Sequence, residues 1–382
     1  MSNPPVYSAK PSFSDEDIEY ILSETPAILR GQLTMGKWVH KLEELAAQMA
    51  GTRYAVASHS CTSALEIGLK SLGIGPGDEV IIPPQTFVGT ANAVLNVGAR
   101  PIFVDIDANT HCLAPASVEA NITPQTRAMI IVHYGGLITP HIDELLTLCE
   151  HHNLKLVEDA AHAHGAMKNG QAAGSIGDVG AFSYYATKVL TSGGEGGMLT
   201  TDDPAIYKLA RTYQARGQDL GVTDEEIFIL PGNNVHLTEF SALCGVTQHG
   251  HLEAFLERRL QVAEIYSQFL EATLPVIDFQ RRPPDTRHAY WKFTVNLPPG
   301  ISRPNFQAHL KEEYNVSVNW SYFPPIHLQP VFKRMFGTHE GQCPVAEDIC
   351  SRCLSLPMYS MLTSSEAEYV CESFEAVYHA LA

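Results

Sequence analysis

Short apolar, β-branched runs punctuate the first half of the chain. Residues 53–58, 79–82, 101–105, 128–133, 155–158, 179–184 and 198–201 all read as strands. Several, such as Met129-Ile130-Ile131-Val132, are continuously apolar, which is the pattern of a strand buried on both faces of a sheet. Helical spacing appears between the earlier ones, over 62–72, 90–97 and 142–151. Strand and helix in alternation predict an α/β fold built on a mostly parallel sheet, with functional loops at the carboxyl ends of its strands. Downstream, residues 238–270 read as one long helix, 291–295 and 316–318 as strands, and a last helix starts near Ser364. Arg281-Arg282-Pro283-Pro284 is a turn signal and not a domain linker. No internal repeat or low-complexity tract is visible. The expected organisation is a large domain over 1–258 and a smaller C-terminal α+β domain over 259–382.

Composition adds limits. With 382 residues, 45% of them hydrophobic and 18% charged, the chain can build a sizeable core over about two domains. A formal net charge of −17 argues against broad binding to nucleic acid or to anionic membranes, which want a basic face. No stretch is long and apolar enough to span a bilayer, and Met1-Ser2-Asn3-Pro4-Pro5 has no signal-peptide character, so the expected location is cytoplasmic. Eight cysteines in a chain of this size read as buried thiols. One C-x-x-C, Cys350 and Cys353 with Cys343 nearby, is a poor zinc signal and is better read as a shared helix face.

The chemistry concentrates at Lys188. It follows Phe182-Ser183-Tyr184-Tyr185-Ala186-Thr187 and precedes Ser192-Gly193-Gly194-Glu195-Gly196-Gly197. Val157-Glu158-Asp159-Ala160-Ala161-His162 places Asp159 at a strand end, 29 residues before Lys188. A lysine in a Gly-rich loop and an acid at a strand's carboxyl end are what a pyridoxal 5'-phosphate (PLP) enzyme needs. The lysine forms a Schiff base with the cofactor aldehyde, and Asp159 keeps the pyridine nitrogen protonated. The lysine must be shifted below its ordinary pKa of about 10.4, as a desolvating pocket would do. Released from the cofactor, it would then move the substrate proton as general acid and base.

The cofactor phosphate needs backbone donors at a helix start, and Ser60-Cys61-Thr62 leaves a strand and enters a helix. Ser183 is a further phosphate ligand candidate. Phe87 is placed to stack on the pyridine ring, and His162 to lie against the cofactor's face or its phenolic oxygen. Trp291, Tyr322 and Phe323 are candidates for the acceptor side. A competing reading, a metal-dependent hydrolase built from His133, Glu158, Asp159, His162 and His164, leaves Lys188 without a role.

Together these segments resemble the DegT/StrS family of PLP-dependent sugar aminotransferases, within fold type I. The likeness includes Gly31-Gln32-Leu33-Thr34-Met35-Gly36, Gly77-Asp78-Glu79-Val80-Ile81 and Glu158-Asp159-Ala160-Ala161-His162. It continues through Leu237-Thr238-Glu239-Phe240 and Ile326-His327-Leu328-Gln329-Pro330, so it runs almost end to end. The resemblance implies a homodimer with shared sites, in which Asn234 reaches the partner's cofactor phosphate. It implies ping-pong transfer of an amino group from L-glutamate or L-glutamine to the keto group of a sugar, most often nucleotide-linked. Keto-cyclitol acceptors and a PLP-binding regulatory paralogue without turnover are the alternatives. Candidate substrate contacts are Lys37, Arg216, His236, Tyr322 and His327. Two positions depart from the family pattern near the acceptor: His236 where Arg is expected, and Gly136-Leu137 where a polar residue such as Gln often follows. Lys188 separates the chain from the family's dehydratase branch, which carries histidine there.

Overall fold

The computed structural model describes residues 4–219, 226–320 and 322–382. Seven strands, β1 (Tyr54–Ser58), β2 (Glu79–Ile82), β3 (Arg100–Phe103), β4 (Thr126–Val132), β5 (Lys155–Asp159), β6 (Val179–Ser183) and β7 (Gly197–Thr201), form one sheet. Their order is β1-β7-β6-β5-β4-β2-β3. The β6-β5-β4-β2-β3 run is parallel, and β7 lies antiparallel between β1 and β6. Apolar side chains leave this sheet on both faces. On β4, Ile130 joins a core with Leu65, Leu69 and Val94, while its neighbours Met129 and Ile131 pack on the opposite face with Leu145 and Cys149. The helices Cys61–Ser71 and Val88–Asn96 thus cover one face and Ile142–His152 the other, as the two-residue period of a strand requires. Each such side chain contributes about 1.5–3 kcal/mol on burial, which is why continuous apolar runs were needed.

Two helices, Asp15–Arg30 and Lys37–Ala50, precede the sheet. The second buries Val39, Leu42 and Ala46 beneath β1 and β7, and its start is tied down by Glu239, whose carboxylate accepts from the N–H groups of Gly36, Trp38 and Val39. The helix expected over 238–270 is two helices, Glu239–His249 and Leu252–Thr273. The chain breaks at Gly250, whose N–H bonds back to Thr247, and glycine is a poor helix interior residue.

The second core belongs to a four-stranded antiparallel sheet, Asp278–Phe279, Phe293–Asn296, Cys353–Leu356 and Asn319–Trp320 in that order. Tyr266, Phe306 and Phe374, from the helices Leu252–Thr273, Arg303–Tyr314 and Ser364–Leu381, fill it. The expected boundary at 258/259 falls inside the helix Leu252–Thr273, and Val6 joins this C-terminal core beside Val316. Cys350 and Cys353 do not share a helix: Pro344–Arg352 ends between them and Cys353 opens a strand. None of the eight cysteines is in a disulfide. Among the described residues no helix is long and apolar enough to cross a membrane.

Candidate active site

The carboxyl edge of the large sheet opens into a cavity of about 410 Å³. Its floor is set by β5. Successive residues on a strand face opposite ways, so Glu158 and Asp159 have different fates. Glu158 is fully buried, where its carboxylate accepts from the N–H groups of Gly174, Ile176 and Gly177 and pairs with His133 Nε2 at 2.8 Å. Asp159 lines the cavity. Thr90 Oγ1 donates to it at 2.7 Å and the Ala161 N–H at 3.2 Å, while burial raises its pKa against these bonds and the nearby Lys188.

An anion cradle borders the same space. Ser60 caps the helix Cys61–Ser71: its hydroxyl accepts the Ser63 N–H at 3.2 Å and its carbonyl the Ala64 N–H. The N–H groups of Cys61 and Thr62, both residues of the cavity wall, complete this first turn, where the helix dipole favours a negative group. Close backbone approach demands glycine here. A Cβ on Gly197 would lie 2.1 Å from the Ser60 carbonyl carbon, and one on Gly89 would lie 2.4 Å from Thr62 Oγ1. Cys61 Sγ lies 3.8 Å from Asp159, and burial pushes its thiol well up, so it is a neutral neighbour.

Lys188 enters from the loop after β6. The Gly-rich segment folds back on that loop: the Tyr184 N–H bonds to Gly196 O at 2.8 Å and the Ala186 N–H to Gly194 O at 2.9 Å. Gly194 holds φ +147°, a conformation side chains rarely adopt. Burial lowers the Lys188 pKa to about 7; Asp159 and Cys61 act against this, and Lys292 adds to it. Its Nζ stands 3.7 Å from the centre of the Trp291 ring. Trp291 is fixed by its Nε1–H, which donates to Thr187 O at 2.7 Å, and stacks on His162 at 3.8 Å. Tyr322 closes this side, with its hydroxyl 3.1 Å from His162 Nε2. Burial holds His162 well below the usual imidazole pKa, with Lys188 and Lys292 acting the same way, and its Nδ1 has no hydrogen-bond partner among the described residues.

Of the predicted positions, Ser60, Cys61, Thr62, Phe87, Asp159, His162, Ser183, Lys188, Trp291 and Tyr322 line this cavity. Phe87 is 61% exposed, a large apolar ring left open at the wall. The structure does not bring His327 there. It is fully buried, bonded to Glu347 at 2.9 Å and packed near Phe103, so it braces the core. Lys37 pairs with Glu24 at 3.0 Å, and Arg216, Asn234 and His236 also lie off the cavity wall of their own chain. Phe323 sits under the Arg303 guanidinium at 4.6 Å. The residues of the metal reading do not converge: His133 and Glu158 are locked together in the core, and His164 packs against Phe182 and Tyr184. No group of three or more metal-ligating side chains occurs among the described residues. Sequence reasoning missed Thr90 and Lys292. The signal for Lys292 was a lysine inside the apolar run Tyr290-Trp291-Lys292-Phe293.

The residues fit PLP. An open anion cradle, a buried carboxylate, an exposed aromatic ring and a lysine of depressed pKa share one cavity. The fold is that of the fold type I aminotransferases. This chain belongs to the DegT/DnrJ/EryC1/StrS aminotransferase family, whose pattern matches residues 15–375. It is 35% identical to the spore coat polysaccharide biosynthesis protein SpsC of Bacillus subtilis (strain 168) over 375 residues, covering 95% of this chain and 94% of SpsC. It is 30% identical to GDP-perosamine synthase of Escherichia coli O157:H7 over 98% of both chains. Among solved structures it is similar to S. venezuelae DesV in complex with a ketimine intermediate, with a TM-score of 0.88, 33% identity and 98% of both chains covered.

Proposed function

We propose that this aminotransferase uses PLP to move an amino group from L-glutamate or L-glutamine to the keto group of a nucleotide-linked sugar, in two half-reactions that share one cavity. The observation that carries the reading is Lys188, lowered to about pKa 7 within the cavity that also holds Asp159 and the Ser60 helix start. When bound, PLP supplies an aldehyde that takes up amino groups covalently and a ring that stores the electron pair of the broken C–H bond.

Around it each side chain has a separate task. The Cys61 and Thr62 N–H groups, with the Ser60 and Ser183 hydroxyls, hold the phosphate. Asp159, kept in place by Thr90 and the Ala161 N–H, takes the charge-assisted hydrogen bond from the ring nitrogen. Phe87 and His162 confine the ring. Lys188 Nζ, unprotonated above about pH 7, would take the proton from the donor carbon and deliver it to the cofactor's former aldehyde carbon within the first half-reaction, and would carry a proton the opposite way, onto the acceptor carbon, in the second. Asn234, Lys37, Arg216 and His236, turned away from their own cavity, serve the cavity of a second copy. Exposed Leu22, Leu29 and Leu33, close to Lys37 in the sequence, supply apolar surface for that contact. A nucleotide-linked acceptor is supported by the GDP-sugar named for the E. coli relative.

The test is an absorption spectrum of the protein with PLP, before and after L-glutamate or L-glutamine. The expected result is a visible band that borohydride fixes onto the Lys188 peptide and that either donor bleaches. A missing band overturns the cofactor assignment. A band indifferent to both donors overturns the donor assignment and favours a regulatory paralogue.

A further inference from the structure

Lys292 shares the cavity with Lys188 and belongs to no motif. Its Nζ lies 4.7 Å from the Trp291 ring centre and 5.0 Å from that of Tyr322, and Lys188 Nζ lies 3.7 Å from the same indole. The backbone keeps it there, because the Lys292 N–H bonds to Gly135 O at 3.2 Å and the Trp291 indole is tied to Thr187 O. Among the described residues lining the cavity, the cationic side chains are these two lysines, and no arginine is present.

An α-amino acid brings an α-carboxylate into this space. That group is one bond from the carbon whose proton Lys188 handles, so its anchor must stand beside the lysine. Lys188 cannot serve as the anchor, since it works as an unprotonated amine. Lys292 meets the condition through the shared indole, and its pKa, lowered by burial to about 8, leaves it protonated near neutrality. Of this chain's other candidate cations, Lys37, Arg216 and His236 do not line its own cavity. Resting on the PLP reading above, we propose that Lys292 anchors the α-carboxylate of the amino donor and thereby selects α-amino acids over simple amines.

Three proteins test this: the unsubstituted enzyme, Lys292→Met and Lys292→Arg, each loaded with PLP. Two readouts are used, the rate at which L-glutamate or 4-aminobutyrate (glutamate without its α-carboxylate) bleaches the band, and calorimetric binding of 2-methylglutamate, which cannot lose an α-proton. Lys292→Met is expected to lower the glutamate rate at subsaturating donor about 100-fold, the order of truncating one partner of a buried charge pair. The 4-aminobutyrate rate should fall far less, so the preference collapses, 2-methylglutamate binding should weaken by a similar factor, and Lys292→Arg should restore part of both. An intact preference in Lys292→Met overturns the assignment, as do equal losses with both amines, which would mean that Lys292 acts through Lys188 or the fold. A loss confined to the acceptor half-reaction also overturns it. If the unsubstituted enzyme shows no band or no donor response, the PLP reading itself fails and carries this inference with it.

Discussion

The two walls of the cavity are built differently. One is the carboxyl edge of the parallel sheet, where Asp159 ends β5, Ser183 ends β6 and Ser60 caps a helix just after β1. Its polar groups are held by short bonds from neighbours such as Thr90. The other wall, Trp291, Lys292 and Tyr322, comes from segments flanking strands of the C-terminal sheet and is mostly ring faces. Its backbone is strained: Tyr290 holds φ +45° and Tyr322 φ +60°, left-handed values that cost an aromatic residue about 1–3 kcal/mol each. His288 Nδ1 accepts the Tyr290 N–H at 2.8 Å, and the buried Arg259 donates to its carbonyl at 2.9 Å. The difference separates tasks. On the proposed reading, the groups that would hold the cofactor sit on strand ends and a helix start, and those that would meet the amino donor sit on the C-terminal wall.

The largest expected effect lies on the sheet wall. Lys188→Ala should slow donor-dependent bleaching of PLP-bound protein by about 10³-fold or more, since it removes both the covalent anchor and the general base. Unchanged circular dichroism would show that the fold survives. Asp159→Asn keeps the shape and removes the charge; a loss of about 10²-fold is expected in the same assay. A loss under about threefold would mean that the charge has no part in the chemistry.

These sheet-wall positions were legible in sequence for a physical reason. Lys188 needs glycines around it, Asp159 needs the apolar strand before it, and Ser60 needs a helix after it, so each leaves a local pattern. On the C-terminal wall Trp291 and Tyr322 were named from sequence as aromatics, but Lys292 was not. Lys292 reads as a break in an apolar run, and its meaning comes from Lys188, about a hundred residues away, resting on the same indole. His327 shows the converse failure: a histidine in a matching motif proved to be a buried partner of Glu347. The parallel strands were also legible, because burial on both faces writes a continuous apolar run. The break at Gly250 was missed, although Thr247-Gln248-His249-Gly250-His251 interrupts the apolar spacing there.

On the C-terminal wall the expected effects are smaller. Tyr322→Phe removes the hydroxyl beside His162 Nε2 and leaves the ring in place. The net value of one such hydrogen bond is about 1 kcal/mol, so a five- to tenfold loss in donor-dependent rate is expected. A loss as large as that of Asp159→Asn would erase the proposed division between the walls.

The smallest effect joins the two walls. Covalent capture of PLP by the cofactor-free protein requires unprotonated Lys188. Its pKa of about 7 therefore predicts a capture rate that falls about tenfold for each pH unit below 7 and levels off above it. The groups acting on this lysine are Asp159 and Cys61, which raise its pKa, and Lys292, which lowers it along with the dominant burial. Removing a like charge favours the protonated amine. Lys292→Met should accordingly move the limb to higher pH, by less than about one unit given the screening of an open cavity. Rapid-mixing measurements of band formation across pH 5–9 would read it. A limb that stays in place would mean that the walls act independently. A shift to lower pH would mean that deeper desolvation of Lys188 beside the methionine, and not the lost charge, governs it.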